Sequence, residues 1–314
     1  MADPVLPPSL KPGDTVAVIH PAGPIRNPAL FEKGVQLLRE LGLQVRHEHA
    51  RGNGPDYLAA ADKDRARELH SLWNDSEIKA LIAARGGYGC LRLMPALDLN
   101  FFRAHPKWLI GFSDLTVLLN GIAGPSGLVT LHGPVVSTLA RTAPESIHRF
   151  KEQLAGIFHP CEQPSGLEIL RPTSGTGRLI GGNLTTLVHL MGTPWFPQFK
   201  GNILFLEDTG EPAYRLDRML TQLACSGLMA DLSGLILGTF DPGHDDRLEI
   251  IRLNEQVWNR VLELVPKADY PIWGGFPVGH QADNLPLPLG MLATMDSSSG
   301  TLQFLPRSCQ TADV

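Results

Sequence analysis

Short apolar runs alternate with longer stretches whose apolar positions recur every three to four residues, and this alternation fills the first half of the chain. Thr15 to His20 reads as a strand, about Pro28 to Leu41 as a helix and Leu43 to His47 as a second strand. A helix from about Lys63 to Trp73, the buried strand Ala80-Leu81-Ile82-Ala83-Ala84, a short helix around Leu91 to Leu97 and a strand ending at Phe112 continue the series. This order predicts an α/β fold with a doubly wound, mainly parallel sheet covered by helices on both faces, where ligands bind at the carboxyl ends of the strands. Three loops fall at such ends and are expected along one rim: His20-Pro21-Ala22-Gly23-Pro24, Arg85-Gly86-Gly87-Tyr88-Gly89 and the corner at Ser113.

Between about Ser146 and Gly177, Pro160, Pro164, Pro172, Gly166, Gly175 and Gly177 interrupt every periodic pattern. The expected division is therefore an N-terminal α/β domain over 1–150, a connection over 151–177 and a C-terminal domain over 178–314. In the latter, a helix from about Leu184 to Met191, a strand over Asn202 to Leu206 ending at Glu207 and a helix over Ala213 to Ala224 are predicted. The strand Gly234 to Gly238, a helix from about Leu253 to Leu264 and an apolar section with hairpin character from Leu287 to Leu305 follow. No repeat relates the halves. The pattern predicts a smaller, mixed α/β second domain organised around fewer strands.

A length of 314 residues exceeds the roughly 100–200 of a usual domain, in keeping with two. Hydrophobic residues make up 43% and charged ones 19%, a composition that excludes a disordered chain. No run approaches the roughly 18 apolar residues of a membrane helix. Met1 to Pro8 has neither the basic start nor the apolar stretch of a secretory signal, so a cytoplasmic protein is expected. Cys90, Cys161, Cys225 and Cys309 are scattered without a Cys-x-x-Cys pair, which argues for reduced thiols rather than a zinc site or disulfide framework. A net charge of −5 without a basic stripe gives no case for nucleic acid and turns attention to a small-molecule partner.

The tetrapeptide Gly111-Phe112-Ser113-Asp114 sets a hydroxyl where the apolar run from Trp108 gives way to the helical pattern Leu115-Thr116-Val117-Leu118-Leu119. Backbone N–H groups at such a helix start favour negative charge developing on an attacked carbonyl, so Ser113 is a candidate nucleophile; serine is equally a preferred N-cap. A serine needs a base, and the base an orienting carboxylate. Glu207, after Ile203 to Leu206, and His280, after Phe276-Pro277-Val278-Gly279, are each expected to end a strand of the second half and supply both, although Glu207 is equally one of several loop acids, with Glu211 and Asp217 nearby, and His280 one of eleven histidines. The Arg85–Gly89 loop is neither a Walker loop nor a dinucleotide fingerprint, and its glycines permit backbone N–H groups to approach a substrate oxygen. Arg85 is a candidate partner for a substrate carboxylate or a structural arginine. Cys90 beside this loop raises the question of redox sensitivity.

These motifs, taken in order, resemble the LD-carboxypeptidases, the muramoyltetrapeptide carboxypeptidase family of serine peptidases. They run from Lys11-Pro12-Gly13-Asp14 and His20-Pro21-Ala22-Gly23 through the Arg85 loop with Arg92-Leu93, Gly111-Phe112-Ser113-Asp114 and His132-Gly133-Pro134. They continue with Gly181-Gly182-Asn183-Leu184, Gly192-Thr193-Pro194-Trp195, Leu206-Glu207-Asp208, Glu211, Tyr214-Arg215, Gly279-His280 and Pro288-Leu289-Gly290. The resemblance implies a triad of nucleophile Ser113, base His280 and orienting Glu207, and an oxyanion hole from the backbone N–H groups of Gly87 and Asp114. It implies no cofactor and no metal, a homodimer, and a cytoplasmic murein tetrapeptide substrate, free or sugar-linked, that loses its terminal D-alanine in peptidoglycan recycling. Arg85, Tyr88 and Asn183 are then expected to touch substrate, with Trp195 and Tyr214 further cleft candidates. Two other readings stand beside it: a microcin C self-immunity-like hydrolase of aminoacyl or peptidyl nucleotides, and a noncatalytic two-lobed peptide-binding protein. A purely structural α/β scaffold fits least, because several loops are expected to share one rim.

Overall fold

The structure, a computed structural model, describes residues 4–47, 55–244 and 246–306. Cys309 and the first three residues, on which two of the expectations bear, lie outside them. The first half contributes β1 (Thr15–Ile19), α1 (Pro28–Glu40), β2 (Gln44–Arg46), α2 (Asp62–Asn74), β3 (Ile78–Ala83), α3 (Leu99–Ala104) and β4 (Trp108–Gly111). It continues with α4 (Thr116–Ser126), β5 (Thr130–His132), α5 (Val136–Leu139) and α6 (Pro144–Leu154). Asn27 starts α1 by accepting the Leu30 N–H at 3.1 Å, with Pro28 at the first helical position, where its missing N–H costs nothing. The expected helix over 91–97 is instead two single 3-10 turns, Cys90–Arg92 and Met94–Ala96, because Pro95 lacks the N–H an α-helix would need there.

The second half comprises β6 (Cys161–Glu162), β7 (Glu168–Arg171), β8 (Ser174–Asn183), α7 (Leu184–Val188), β9 (Ile203–Thr209), α8 (Ala213–Cys225) and β10 (Gly234–Asp241). After it come α9 (Arg247–Leu264), β11 (Ile272–Gly274), β12 (Leu287–Leu289), β13 (Leu292–Asp296) and β14 (Thr301–Leu305). The first sheet has the order β12-β5-β4-β3-β1-β2, parallel but for β12. The second, β6-β14-β13-β8-β9-β10-β11-β7, is mixed, with β8 to β11 parallel and antiparallel strands on both sides. The fold is thus two α/β units, the first doubly wound. Of the central strands, β4 is apolar throughout and β3 at every position but the exposed Lys79, as a sheet covered on both faces favours, and Trp73 of α2, Trp108 of β4 and Trp273 of β11 are fully buried.

Three expectations are corrected. Among the described residues the second sheet has eight strands against six, not fewer. The difference arises in 151–177, expected to be a connection, which supplies the end of α6, β6, β7 and the start of β8. Its prolines flank edge strands, where a missing N–H breaks no ladder, and Gly175 sits in β8 because a Cβ would lie 1.8 Å from the Ser233 carbonyl oxygen. Finally, the terminal apolar section divides: β13 and β14 form a hairpin, whereas β12 crosses over to pair antiparallel with β5, Leu287 opposite His132 and Leu289 opposite Thr130. Among the described residues no helix is long and apolar enough to cross a membrane.

Candidate active site

The rim predicted from the three loops exists. The Gly23 N–H donates to the Gly86 carbonyl at 3.1 Å, joining the loops after β1 and β3. A Cβ on Gly86 would lie 2.8 Å from Ser113 Cβ and 3.0 Å from its Oγ, so the absence of a side chain there lets the loop close over the serine. Ser113 has φ +64°, a left-handed conformation that a non-glycine residue holds only at a cost of order 1–3 kcal/mol. Phe112 is the N-cap of the 3-10 turn Ser113–Leu115 and Leu115 that of α4, so Ser113 is not the N-cap that its position allowed. The neighbouring Asp114 is buried and accepts the Cys90 N–H at 2.8 Å.

Across the cleft, His280 Nδ1 lies 2.7 Å from Glu207 Oε2. Glu207 is no loop acid: β9 runs two residues past it, it stands opposite Asn183 of β8, and it is wholly buried. The competing carboxylates are committed elsewhere, Glu211 to Arg215 and Asp217 to Arg260. The His280 side chain, 18% exposed, packs its ring 4.7 Å from that of Phe112, the residue before Ser113. With Nδ1 engaged by the carboxylate, Nε2 is the nitrogen left for a hydroxyl at this corner. Burial alone would push the imidazole down; the charge and hydrogen bond of Glu207, helped by Asp208 and Asp241, outweigh it and hold His280 above its ordinary pKa.

The two halves are locked by side chains of α4. Asn120 Nδ2 donates to the Gly181 carbonyl at 2.8 Å while the Gly181 N–H donates to Asn120 Oδ1 at 3.0 Å, and the Asn183 N–H donates to Thr116 Oγ1 at 3.0 Å. Gly181 has φ +122°, and a Cβ would lie 1.9 Å from the Phe205 carbonyl oxygen. Ser113, one turn before Thr116, is thereby fixed relative to β8 and, through the β8–β9 ladder, to Glu207.

Other candidates divide. Arg85 lies at the Gly23 and Gly87 edge of the loop, one N–H donated to the Pro24 carbonyl at 3.2 Å; partial burial and nearby Arg26 lower its pKa. Tyr88 is exposed and stands 5.8 Å, ring to ring, from exposed Tyr57. Asn183, expected to touch substrate, is buried; it caps α7 through the Thr186 N–H at 3.0 Å and donates to Asp208 at 2.8 Å. Tyr214 stacks with Arg218 beside a groove between α8 and α9, and Trp195 packs near Gly121. Cys90 is buried, and burial with the adjacent Asp114 raises its thiol well above the ordinary value, which removes the thiolate a redox role needs. Among the described residues no group of three or more His, Cys, Asp or Glu could hold a metal ion.

Two groups near the triad carried no role in the sequence reading. His132, opposite Gly111 in the β4–β5 ladder, is wholly buried with its ring 5.0 Å from Phe205 and 5.9 Å from Phe112; burial lowers its pKa to about 4. Asp208 is raised to about 6 by burial and by Glu207, although Thr185 and Asn183 hydrogen-bond to it. The signal for Thr116 and Asn120 was present: two polar residues four apart in a helix otherwise apolar as far as its last residue, Ser126.

A hydroxyl on a strained strand-to-helix corner, an imidazole–carboxylate pair facing that corner and a glycine loop closing over it are the parts of a serine peptidase. Comparison with known proteins agrees. Residues 16–133 match the LD-carboxypeptidase N-terminal domain and residues 176–295 the LD-carboxypeptidase C-terminal domain. A probable murein peptide carboxypeptidase of Bacillus subtilis (strain 168) is 36% identical over 94% of this chain and 92% of its own. The murein tetrapeptide carboxypeptidase of Pseudomonas aeruginosa is 34% identical over 90% and 93%. Among solved structures, an MccF-like protein from Bacillus anthracis superposes with a TM-score of 0.87 at 26% identity, covering 96% of this chain and all (100%) of that one. The microcin C7 self-immunity protein MccF in complex with aspartyl sulfamoyl adenosine gives 0.83 at 25% identity, covering 97% and 99%. The chain belongs to the LD-carboxypeptidase family, and it is a serine carboxypeptidase.

Proposed function

We propose that this carboxypeptidase removes the terminal D-alanine from murein tetrapeptides, free or sugar-linked, in cytoplasmic peptidoglycan recycling, with Ser113 as nucleophile, His280 as general base and Glu207 as its orienter. The observation that carries the roles is the 2.7 Å His280–Glu207 pair packed on Phe112, at the corner where Ser113 takes up φ +64°. The murein substrate is carried over from relatives at 34% and 36% identity. No cofactor enters the reaction, and a homodimer is part of the proposal.

Ser113 Oγ attacks the carbonyl of the scissile amide while His280 Nε2 takes its proton. The tetrahedral oxyanion rests on the backbone N–H groups of Gly87 and Asp114. In a trans peptide the carbonyl and the following N–H point in opposite directions; with the Gly86 carbonyl held by Gly23, the Gly87 N–H is aimed away from Gly23. The imidazolium then protonates the leaving D-alanine nitrogen, and water activated by the same imidazole hydrolyses the acyl-enzyme. Arg85, with one N–H committed to Pro24 and its fork at the Gly87 edge, is the candidate for the substrate's terminal carboxylate, and exposed Tyr88 lines the mouth.

The similarity to MccF in complex with aspartyl sulfamoyl adenosine favours a second reading, hydrolysis of an aminoacyl nucleotide. Incubating the purified protein with murein tetrapeptide and, separately, with an aminoacyl sulfamoyl adenosine decides between them by mass spectrometry. Loss of a single D-alanine is expected. An intact tetrapeptide alongside a cleaved nucleotide would reverse the assignment, and cleavage of neither would leave a binding protein.

A further inference from the structure

The peptide unit joining Gly89 to Cys90, where the glycine loop ends, is held at both poles by buried charged side chains. Its carbonyl accepts from Arg65 Nη1 at 3.1 Å, and its N–H donates to Asp114 Oδ2 at 2.8 Å. Arg65, on α2, has a side chain with 0% exposure. Its other donors are also spent: Nε on the Ala60 carbonyl at 3.1 Å, Nη1 again on the Pro21 carbonyl, and Nη2 on Asp62 Oδ1 at 2.5 Å. Asp62 takes Arg92 on its second oxygen at 2.9 Å. One guanidinium therefore ties the loop after β1, through Pro21, to the loop after β3, through Gly89. The Asp114 carboxylate ties the same peptide to the residue following Ser113.

Placing a guanidinium and a carboxylate in the interior costs several kcal/mol each, and an apolar pair could fill the space without that cost. What an apolar pair could not do is fix the rotation of a peptide plane. The need for such fixing is evident in the loop itself: Gly86, Gly87 and Gly89 carry no side chains, and Gly87 and Gly89 sit at φ +119° and +124°. Glycine segments have the largest backbone freedom, whereas oxyanion donors act only when they are already aimed before charge develops. The near end of the loop is aimed by the Gly23 bond to the Gly86 carbonyl, and the far end by Arg65 and Asp114.

We propose that the Arg65 and Asp114 side chains are positioning residues that clip the Gly89–Cys90 peptide between opposite charges and so preset the Gly87 N–H of the oxyanion hole. They act through the backbone and touch no reacting atom. The inference rests on the function proposed above only in placing Ser113 as nucleophile and Gly87 among the oxyanion donors.

The test uses an alkyl fluorophosphonate, which reads the oxyanion hole without needing the peptide substrate. Ser113 Oγ forms a bond to phosphorus, the P–F bond breaks, fluoride leaves, and the hydroxyl proton passes to His280 while the phosphoryl oxygen occupies the hole. Arg65→Lys keeps a charge but loses the fork, Asp114→Ala leaves the Cys90 N–H without an acceptor, and Asp114→Asn restores one. Labelling by Arg65→Lys and Asp114→Ala is expected to slow by about 10-fold or more, with Asp114→Asn recovering part of the loss. On tetrapeptide, kcat should fall by a similar factor with KM little changed. Folded variants, judged by circular dichroism, that label at the wild-type rate would overturn the proposal, as would a raised KM at unchanged kcat. Should Arg65→Lys fail to fold, the Asp114→Ala and Asp114→Asn pair decides alone. A wild-type protein that labels but spares the tetrapeptide removes the murein reading and leaves this one standing; one that does not label removes both.

Discussion

Asn120 and Gly181 exchange two hydrogen bonds across the interface of the two domains, at 2.8 and 3.0 Å, as a side-chain amide imitating a neighbouring strand. Both partners are buried, so the pair is shielded from competing water. Replacing Asn120 with leucine would leave the Gly181 N–H and carbonyl unpartnered, at about 1–3 kcal/mol for each group. Asn120→Leu is therefore expected to lower Tm markedly and to reduce kcat through a displaced Ser113, measured by calorimetry and steady-state kinetics. An unchanged kcat in the folded variant would show that the clamp fixes stability alone.

The strain at Ser113 makes two inactive variants unequal. Ser113→Ala removes the hydroxyl but keeps a Cβ at φ +64°, whereas glycine adopts that conformation freely. Neither should release D-alanine. Ser113→Gly should be the more stable by about 0.5–1 kcal/mol, read as a higher midpoint in urea. A less stable glycine variant would mean that the corner stores no strain.

Because Glu207 overcomes burial to hold His280 above its usual pKa, the acidic limb of kcat/KM should lie above pH 6.5, activity falling as pH drops and the base takes a proton. Glu207→Gln removes the charge and leaves the burial, so the limb should move to lower pH. The misoriented imidazole should cost about 10³–10⁴-fold in kcat. A pH–rate profile of both proteins measures the shift, and a limb that stays in place would dissociate Glu207 from the base.

His132 and Asp208 pull acid stability in opposite directions. Folded His132 stays neutral down to about pH 4 while the unfolded residue takes its proton near 6.5, so its contribution is lost as pH falls between those values, at about 1.4 kcal/mol per pH unit. Folded Asp208 takes its proton at about 6 and the unfolded residue near 3.8, so its contribution grows over that range as pH falls. His132→Phe should therefore tolerate a change from pH 7 to pH 5 better than wild type, and Asp208→Asn worse. Tm measured at both values gives the order, and a reversed order would refute the opposition.

Those parts of the molecule governed by local pattern were readable from residue order. β1 to β4 and α1, α2 and α4 follow their apolar periods, and the motif around Ser113 marks its corner, whereas β5, three residues long, carried no such period. What local pattern could not supply was distance between backbones. Pro164 and Pro172 and the glycines of 151–177 looked like breakers, yet they border edge strands or, at Gly175, admit a neighbouring carbonyl. Asn183, a cleft candidate through the family resemblance alone, also caps α7 and binds Asp208, which no local pattern announced. Glu207 and His280 stood out as titratable groups expected at strand ends, yet β9 runs past Glu207 and His280 lies in the loop between β11 and β12; their pairing, and the buried Arg65 behind the glycine loop, depend on contacts between segments far apart in the chain.

The crossing of β12 into the first sheet bears on how the protein is made. A ribosome delivers Ser113 and β5 well before Leu287–Leu289, which complete that sheet's edge and follow closely behind His280. A nascent chain halted before that point carries a serine without His280 and a bare edge on β5. The same stretch of chain that closes the sheet delivers the base, so hydrolytic power waits for the β12 crossing.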